Sequence, residues 1–333
     1  MANKDQNFQL SGPPKLAHVD WKNAAHVRAV VASLVQCVYV SERDRQKKRE
    51  LALPWCETFG FQLKRKLIDK ADSSIFGAIF KCEPLTSSCN HSAGGPRFVV
   101  AFRGTLFAKK SWLRDIGLDV QVILNKLHSS SRCQTAIQAV EDLVATADDS
   151  GEVWLTGHSL GTAIALQAGS NMAKKGVYLE SLLFNPPYPS FPTEKIKGKT
   201  VKGACHLIKS GFRWVPQLKQ SASSFAAMSS WVPQLFVNKD DYVCSGYIGY
   251  FKDRKCMRKH GFEDFHNFAS QYSVRSMLLT SETGALAEPL HLIPSANLTI
   301  NLKPPKSFLS AHGIIEWWKP NLELESEVYL CEY

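Results

Sequence analysis

The chain reads as an α/β protein with a mainly parallel sheet flanked by helices. Three observations predict this. Short apolar runs of β character alternate with helix-period stretches through the middle of the chain. A Gly-x-Ser-x-Gly turn joins one such run to one such stretch. No internal repeat or long Pro/Gly linker interrupts the series, so one domain over 21–333 is expected after a loosely ordered lead-in over 1–20.

The elements follow in order. Residues 24–48 have helical spacing, with Val27, Val30, Val31, Leu34 and Val38 able to share one face. The stretch 75–82 (IFGAIFKC) is a strand, and 83–96, rich in Ser, Gly and Pro, is a hairpin-like loop. A second strand, 98–102, runs into Arg103-Gly104-Thr105. Residues 131–147 are helical, with Ala136, Ile137, Val140, Leu143 and Val144 on one side. A β-run at 153–156 precedes a small-residue helix at 162–174. Residues 179–184 form another strand, stopped by Asn185-Pro186-Pro187. An insertion near 195–231, rich in Lys, Ser and aromatics, interrupts the pattern, and 231–237 resumes it as a strand. The tail after 255 is mixed, with a helical stretch at 311–319.

Composition narrows the class. With 333 residues, 44% apolar and 21% charged, the chain is an ordinary globular protein, not a fibrous or disordered one. Lys and Arg number 40 against 30 acids, a net charge of +10. The basic clusters carry interleaved acids and come with no zinc-finger spacing or aromatic RNA-binding run, so nucleic acid is not expected. They read first as solvated surface and second as weak attraction to anionic lipid. Nine cysteines show no Cys-x-x-Cys pair, which argues against structural zinc, and free thiols are expected. The polar start lacks a secretory core. The apolar run at 24–40 is broken by His26, Arg28 and Gln36, so no transmembrane span is expected and a cytoplasmic location is. Nothing in the sequence specifies an oligomeric state.

The chemistry lies in Gly157-His158-Ser159-Leu160-Gly161. A strand before and a helix after fit a sharp turn that presents a serine as nucleophile, with tiny residues two positions to either side. The helix N-terminus favours negative charge beside that serine. Serine needs a base, and the base a carboxylate. On such a sheet the chain order is serine, acid, histidine. The strand ending near Val237 is followed by Asp240 and Asp241, either of which could serve. Of the histidines, His206 precedes the acid. His260 and His266 lie among charges and read as surface. His291 reads as a core residue, and His312 stands at a loop-to-helix junction suited to a base. His158 reads as a turn or packing residue, since neighbouring strand side chains point apart. An oxyanion needs two amides: one from Leu160, another from the 103–105 turn.

Together, Val99-Val100-Ala101-Phe102-Arg103-Gly104-Thr105, Gly157-His158-Ser159-Leu160-Gly161, Asp241-Tyr242-Val243 and His312 resemble the class 3 lipases, a branch of the α/β-hydrolases. The Ala-His-Gly-Ile…Trp-Trp ending and Asn185-Pro186-Pro187 look like a plant subgroup often labelled GDSL esterase/lipase, although no Gly-Asp-Ser-Leu occurs in the chain. The resemblance implies Ser159 as nucleophile, Asp241 as orienting acid, His312 as base, and the amides of Thr105 and Leu160 as oxyanion donors. It implies a serine hydrolase of acyl-lipid esters, of triacylglycerol lipase, phospholipase or carboxylesterase type, requiring no cofactor or metal. It also implies a lid over 106–115 and transient contact with an anionic membrane or lipid surface. Cys244 stands where the family commonly has proline. The alternative expectation is a binding or signalling module on the same fold.

Overall fold

The computed structural model describes residues 8–14, 16, 18–83, 94–106, 130–147, 149–188, 226–259 and 293–331. Eight strands form one sheet in chain order: β1 (Phe61–Ile68), β2 (Ile75–Cys82), β3 (Phe98–Phe102), β4 (Val153–His158), β5 (Ser181–Phe184), β6 (Gln234–Asn238), β7 (Ala296–Asn301) and β8 (Leu324–Tyr329). Strands β3 to β7 are mutually parallel, while β1, β2 and β8 attach antiparallel at the flanks. With its covering helices, this is an α/β-hydrolase fold.

Sequential order has a geometric consequence. Right-handed crossovers between successive parallel strands place their helices on one face of the sheet. There lie α2 (Ser131–Thr146), α3 (Leu160–Ala173) and α4 (Gly246–Lys259). Their Cys133, Ile164 and Phe251 join the same apolar layer as Val100, Leu155, Leu183 and Leu235. The alternate residues Val99, Trp154, Leu182 and Phe236 point to the other face, as the two-residue period of a strand requires. Among the described residues, no crossover helix covers that side. It is filled by α1 (Ala24–Lys47) together with Trp55, Trp317 and Trp318.

The long helix starts on Asn23, whose side chain accepts hydrogen bonds from the amides of Ala25 and His26, and ends on Lys48 in a left-handed conformation. It departs from the one-faced helix expected of its spacing. Ala29, Ala32, Val35, Cys37 and Val40 are buried as well as the predicted face, because the tryptophans close over its outer side. Arg28 Nε donates to the Trp317 carbonyl at 2.7 Å, tying this helix to the C-terminal segment. By length and composition α1 could cross a membrane, yet most of it is buried within the fold.

Other elements depart from expectation at the sheet edges and near the C-terminus. β1 carries exposed Lys64, Arg65 and Lys66 and two register shifts, features that protect an open edge and blur alternation. β8 does the same with exposed Glu325. The helix expected at 311–319 is a short helix, Phe308–Ala311, followed after Gly313 by a 3-10 turn, Ile314–Trp318. Cys37, Cys56, Cys82, Cys133, Cys244 and Cys331 form no disulfide.

Leu34 lies at the centre of α1 with no solvent exposure. Leu34→Ala is expected to cost about 2–5 kcal/mol in urea denaturation. An unchanged unfolding midpoint would show that α1 is not part of the cooperative core.

Candidate active site

The functional side chains gather at the carboxyl ends of the parallel strands, where the chain leaves β3, β4, β5 and β6. Between β4 and α3, Ser159 has φ 54° and ψ −129°, a conformation costly for any residue but glycine. It is held there from several sides. Its amide donates to the Phe184 carbonyl at 3.0 Å, and its carbonyl accepts from the Thr162 hydroxyl at 2.6 Å. Gly157 and Gly161 make the turn sterically feasible: a β-carbon on Gly157 would lie 2.6 Å from the Gly161 backbone.

Asp241 follows β6 and has no exposure, while Asp240 is exposed. Asp241 Oδ2 accepts from His312 Nδ1 at 2.8 Å, and His312 Nε2 lies 3.0 Å from Ser159 Oγ. The structure thus brings Ser159, His312 and Asp241 into one hydrogen-bonded line. Burial alone would raise the Asp241 pKa. The electrostatic attraction and hydrogen bond of His312, with hydrogen bonds from Asn185 and Cys244, outweigh it and hold the carboxyl below its ordinary value, so it stays ionised.

Two of those partners escaped sequence reasoning. Asn185, left-handed at φ 49°, sends Nδ2 to Asp241 Oδ2 at 2.7 Å, while its Oδ1 accepts from Trp317 Nε1 at 2.5 Å. Its only sequence signal was its place between a strand and Pro-Pro. Cys244, in place of the family's common proline, points its thiol at Asp241 Oδ2 at 3.1 Å. The loop bearing His312 is fixed through the Ala311 carbonyl, which accepts from both Asn185 and Asn238.

His158 is more than a turn residue. Its side chain does point away from Ser159, yet Nε2 lies 2.6 Å from the His312 carbonyl, and Nδ1 lies 2.8 Å from the Tyr39 hydroxyl. The Gly104 amide donates to that same hydroxyl at 2.7 Å. Burial pushes the His158 pKa down to about 3, so the ring is neutral.

The 103–105 turn is pinned at the Gly104 carbonyl too. Arg103, buried, sends Nε to the Ile75 carbonyl at 2.6 Å and a terminal nitrogen to the Gly104 carbonyl at 2.7 Å. A β-carbon on Gly104 would stand 2.9 Å from the Ser159 β-carbon, so this turn lies directly against the serine. The Thr105 and Leu160 amides have no hydrogen-bond acceptor among the described residues.

Of the expected lid, Leu106 packs against the α1 layer, and 107–115 lie outside the described residues. So do His206, His260, His266, His291 and residues 195–225 of the insertion. At its end, Trp231 is buried and donates to the Leu179 carbonyl at 2.9 Å.

Residues 99–185 match the family model described as Lipase (class 3). An Arabidopsis thaliana protein named GDSL esterase/lipase is 42% identical over 352 residues, covering 99% of each chain. A crystal structure of a lipase from Rhizopus microsporus var. chinensis aligns over 73% of this chain and 74% of its own, at 17% identity and a TM-score of 0.34.

A histidine kept neutral by burial makes stability pH-dependent. The unfolded chain binds a proton on His158 below its ordinary value of 6.5, whereas the folded chain does not until about 3. Stability should therefore fall as the pH is lowered through that window, by up to about 1.4 kcal/mol per unit from this group. Asp241, its pKa depressed, adds to the loss below its ordinary value of 3.8, where the unfolded-state carboxylate takes a proton that the folded one does not. Urea denaturation at pH 6.5 and 5 should show a loss about 2 kcal/mol larger in the wild type than in His158→Gln. Equal slopes would mean that His158 is not the buried neutral group.

Proposed function

The chain belongs to the class 3 lipase family and is a carboxylic ester hydrolase; from that premise we propose that it cleaves acyl-lipid esters through an acyl-enzyme on Ser159. The observation that carries the proposal is the line Ser159 Oγ–His312–Asp241, with contacts of 3.0 and 2.8 Å. Ser159 Oγ attacks the ester carbonyl while His312 Nε2 takes its proton. Asp241 holds Nδ1–H and stabilises the imidazolium that forms. His312 then returns the proton to the leaving alcohol, and water, activated in the same way, releases the acid. The Thr105 and Leu160 amides receive the oxyanion, assisted by the positive end of α3. The residues named here carry out each step without a metal or organic cofactor.

The surroundings of His312 support a lipid as substrate. Phe308 stacks on its ring, Tyr242 stacks on Phe308 at 4.3 Å, and Tyr242 and Leu309 are exposed. The neighbouring Lys239 and Lys306 are exposed too. An apolar rim with basic flanks suits an acyl chain presented from an anionic membrane or lipid surface. The assembled line favours turnover over a purely binding role.

A fluorophosphonate probe should label the wild type and leave Ser159→Ala unlabelled. Ester hydrolysis should fall by about 10⁴-fold or more in Ser159→Ala. Equal labelling of both proteins would refute the nucleophile. A screen of p-nitrophenyl esters, triacylglycerols and phospholipids tests the substrate class: cleavage confined to short soluble esters would remove the lipid from the proposal.

A further inference from the structure

We infer that Tyr39 and His158 are positioning residues that lock the oxyanion turn to the backbone of His312, so that the two halves of the machinery are set as one unit. The inference rests on the roles proposed for Ser159, His312 and Thr105.

The hydrogens along this chain have only one arrangement. The Gly104 amide can only donate, so the Tyr39 oxygen accepts from it at 2.7 Å. The phenol hydrogen is then free for His158 Nδ1 at 2.8 Å, which must offer a lone pair. That places the ring's hydrogen on Nε2, where it meets the His312 carbonyl at 2.6 Å, a group that can only accept. Both ends are backbone groups of fixed polarity, so the chain cannot reverse. It needs a neutral imidazole, and full burial supplies one.

Each end bears on a reacting group. At one end, Gly104 is held by Tyr39 through its amide and by Arg103 through its carbonyl. In a planar trans peptide the Gly104 carbonyl and the Thr105 N–H point in opposite directions. Fixing the first therefore aims the second. At the other end, His312 is bonded at its amide to the Phe308 carbonyl at 2.7 Å and at its carbonyl to His158. Its ring is set between Asp241 and Ser159 from a backbone fixed on both sides. Tyr39 comes from α1, far from the motifs in the chain, and its hydroxyl is a buried polar group between Val38 and Val40 of that helix.

Tyr39→Phe removes only the hydroxyl and tests this in the full-length protein. We expect kcat/KM for a p-nitrophenyl ester to fall by about 10²-fold, with KM within about twofold. The Ki of a trifluoromethyl ketone, which mimics the tetrahedral adduct, should rise by a similar factor. Fluorophosphonate titration should still count one site per chain. His158→Gln, which keeps a donor near Nε2, should retain more activity than His158→Asn. Tyr39→Phe combined with His158→Gln should lose no more than the worse single variant, because both cut one chain. A lower Tm or fewer titratable sites, with kcat/KM per active site and Ki unchanged, would reduce the pair to a structural role and overturn the inference. So would losses that multiply in the double variant. If Tyr39→Phe fails to fold, the His158→Gln and His158→Asn comparison decides, and equal activity overturns the inference. Ser159→Ala separates the levels. If it is inactive while Tyr39→Phe is unaffected, only this inference falls; if it is active, the reading beneath it falls.

Discussion

Asp241 is an ionised carboxylate without solvent exposure, and the architecture around it follows from that condition. A buried charge costs several kcal/mol unless it is paired and hydrogen-bonded. Its Oδ1 takes the Val243 amide at 3.0 Å, and Oδ2 takes His312, Asn185 and Cys244. The donors come from three places: Val243 and Cys244 from the turn after β6, His312 from the segment after β7, and Asn185 from the left-handed end of β5. Asn185 must leave β5 in a strained conformation to reach it, and Trp317 anchors the far side of the same amide. The acid thus holds together the ends of strands that only the tertiary fold makes neighbours.

Sheet topology decides what else can reach the site. The described crossover helices occupy one face, and the second is closed by chain from outside the parallel β3–β7 series. The chain supplies α1, which precedes every strand, and the C-terminal 3-10 turn, which follows β7. The site is therefore built from both ends of the chain as well as from its middle: Tyr39 touches the 103–105 turn, and Trp317 touches Asn185. A helix apolar enough to be mistaken for a membrane span is instead the element that brings a hydroxyl to the Gly104 amide.

Legibility followed range. β2, β3 and the elements from α2 to β5 were readable because they are continuous apolar runs bounded by turn residues. Ser159 was readable because its turn demands glycine on both sides, and His312 because chain order restricts the search. Asp240 and Asp241 were indistinguishable by pattern alone; burial separates them in the structure. The edge strands were hidden by the charges that keep them from pairing with other chains. Asn185, Cys244, Tyr39 and the true contacts of His158 were illegible for another reason. Each acts through side-chain hydrogen bonds, which for Asn185, Tyr39 and His158 reach residues distant in sequence, and no periodicity records such bonds. His158 shows the limit of a correct rule: adjacent strand residues do point apart, yet the opposite side of the sheet end was not empty.

The neighbourhood of two imidazoles sharpens what burial does here. The rings of His158 and His312 lie 5.1 Å apart, close enough for two positive charges to repel strongly in a medium of low dielectric. The proposed reaction makes His312 an imidazolium, and that is tolerable only if His158 stays neutral. Burial secures this, since His158 protonates only near pH 3. The same burial that denies His158 a role as base suits it to carry a fixed hydrogen bond beside one. His312 differs in having the Asp241 carboxylate against Nδ1, which offsets the positive charge that His158, with no such partner, cannot accept. Two identical side chains beside the same serine, one its chain neighbour and one brought there by the fold, are thereby set apart by a single carboxylate.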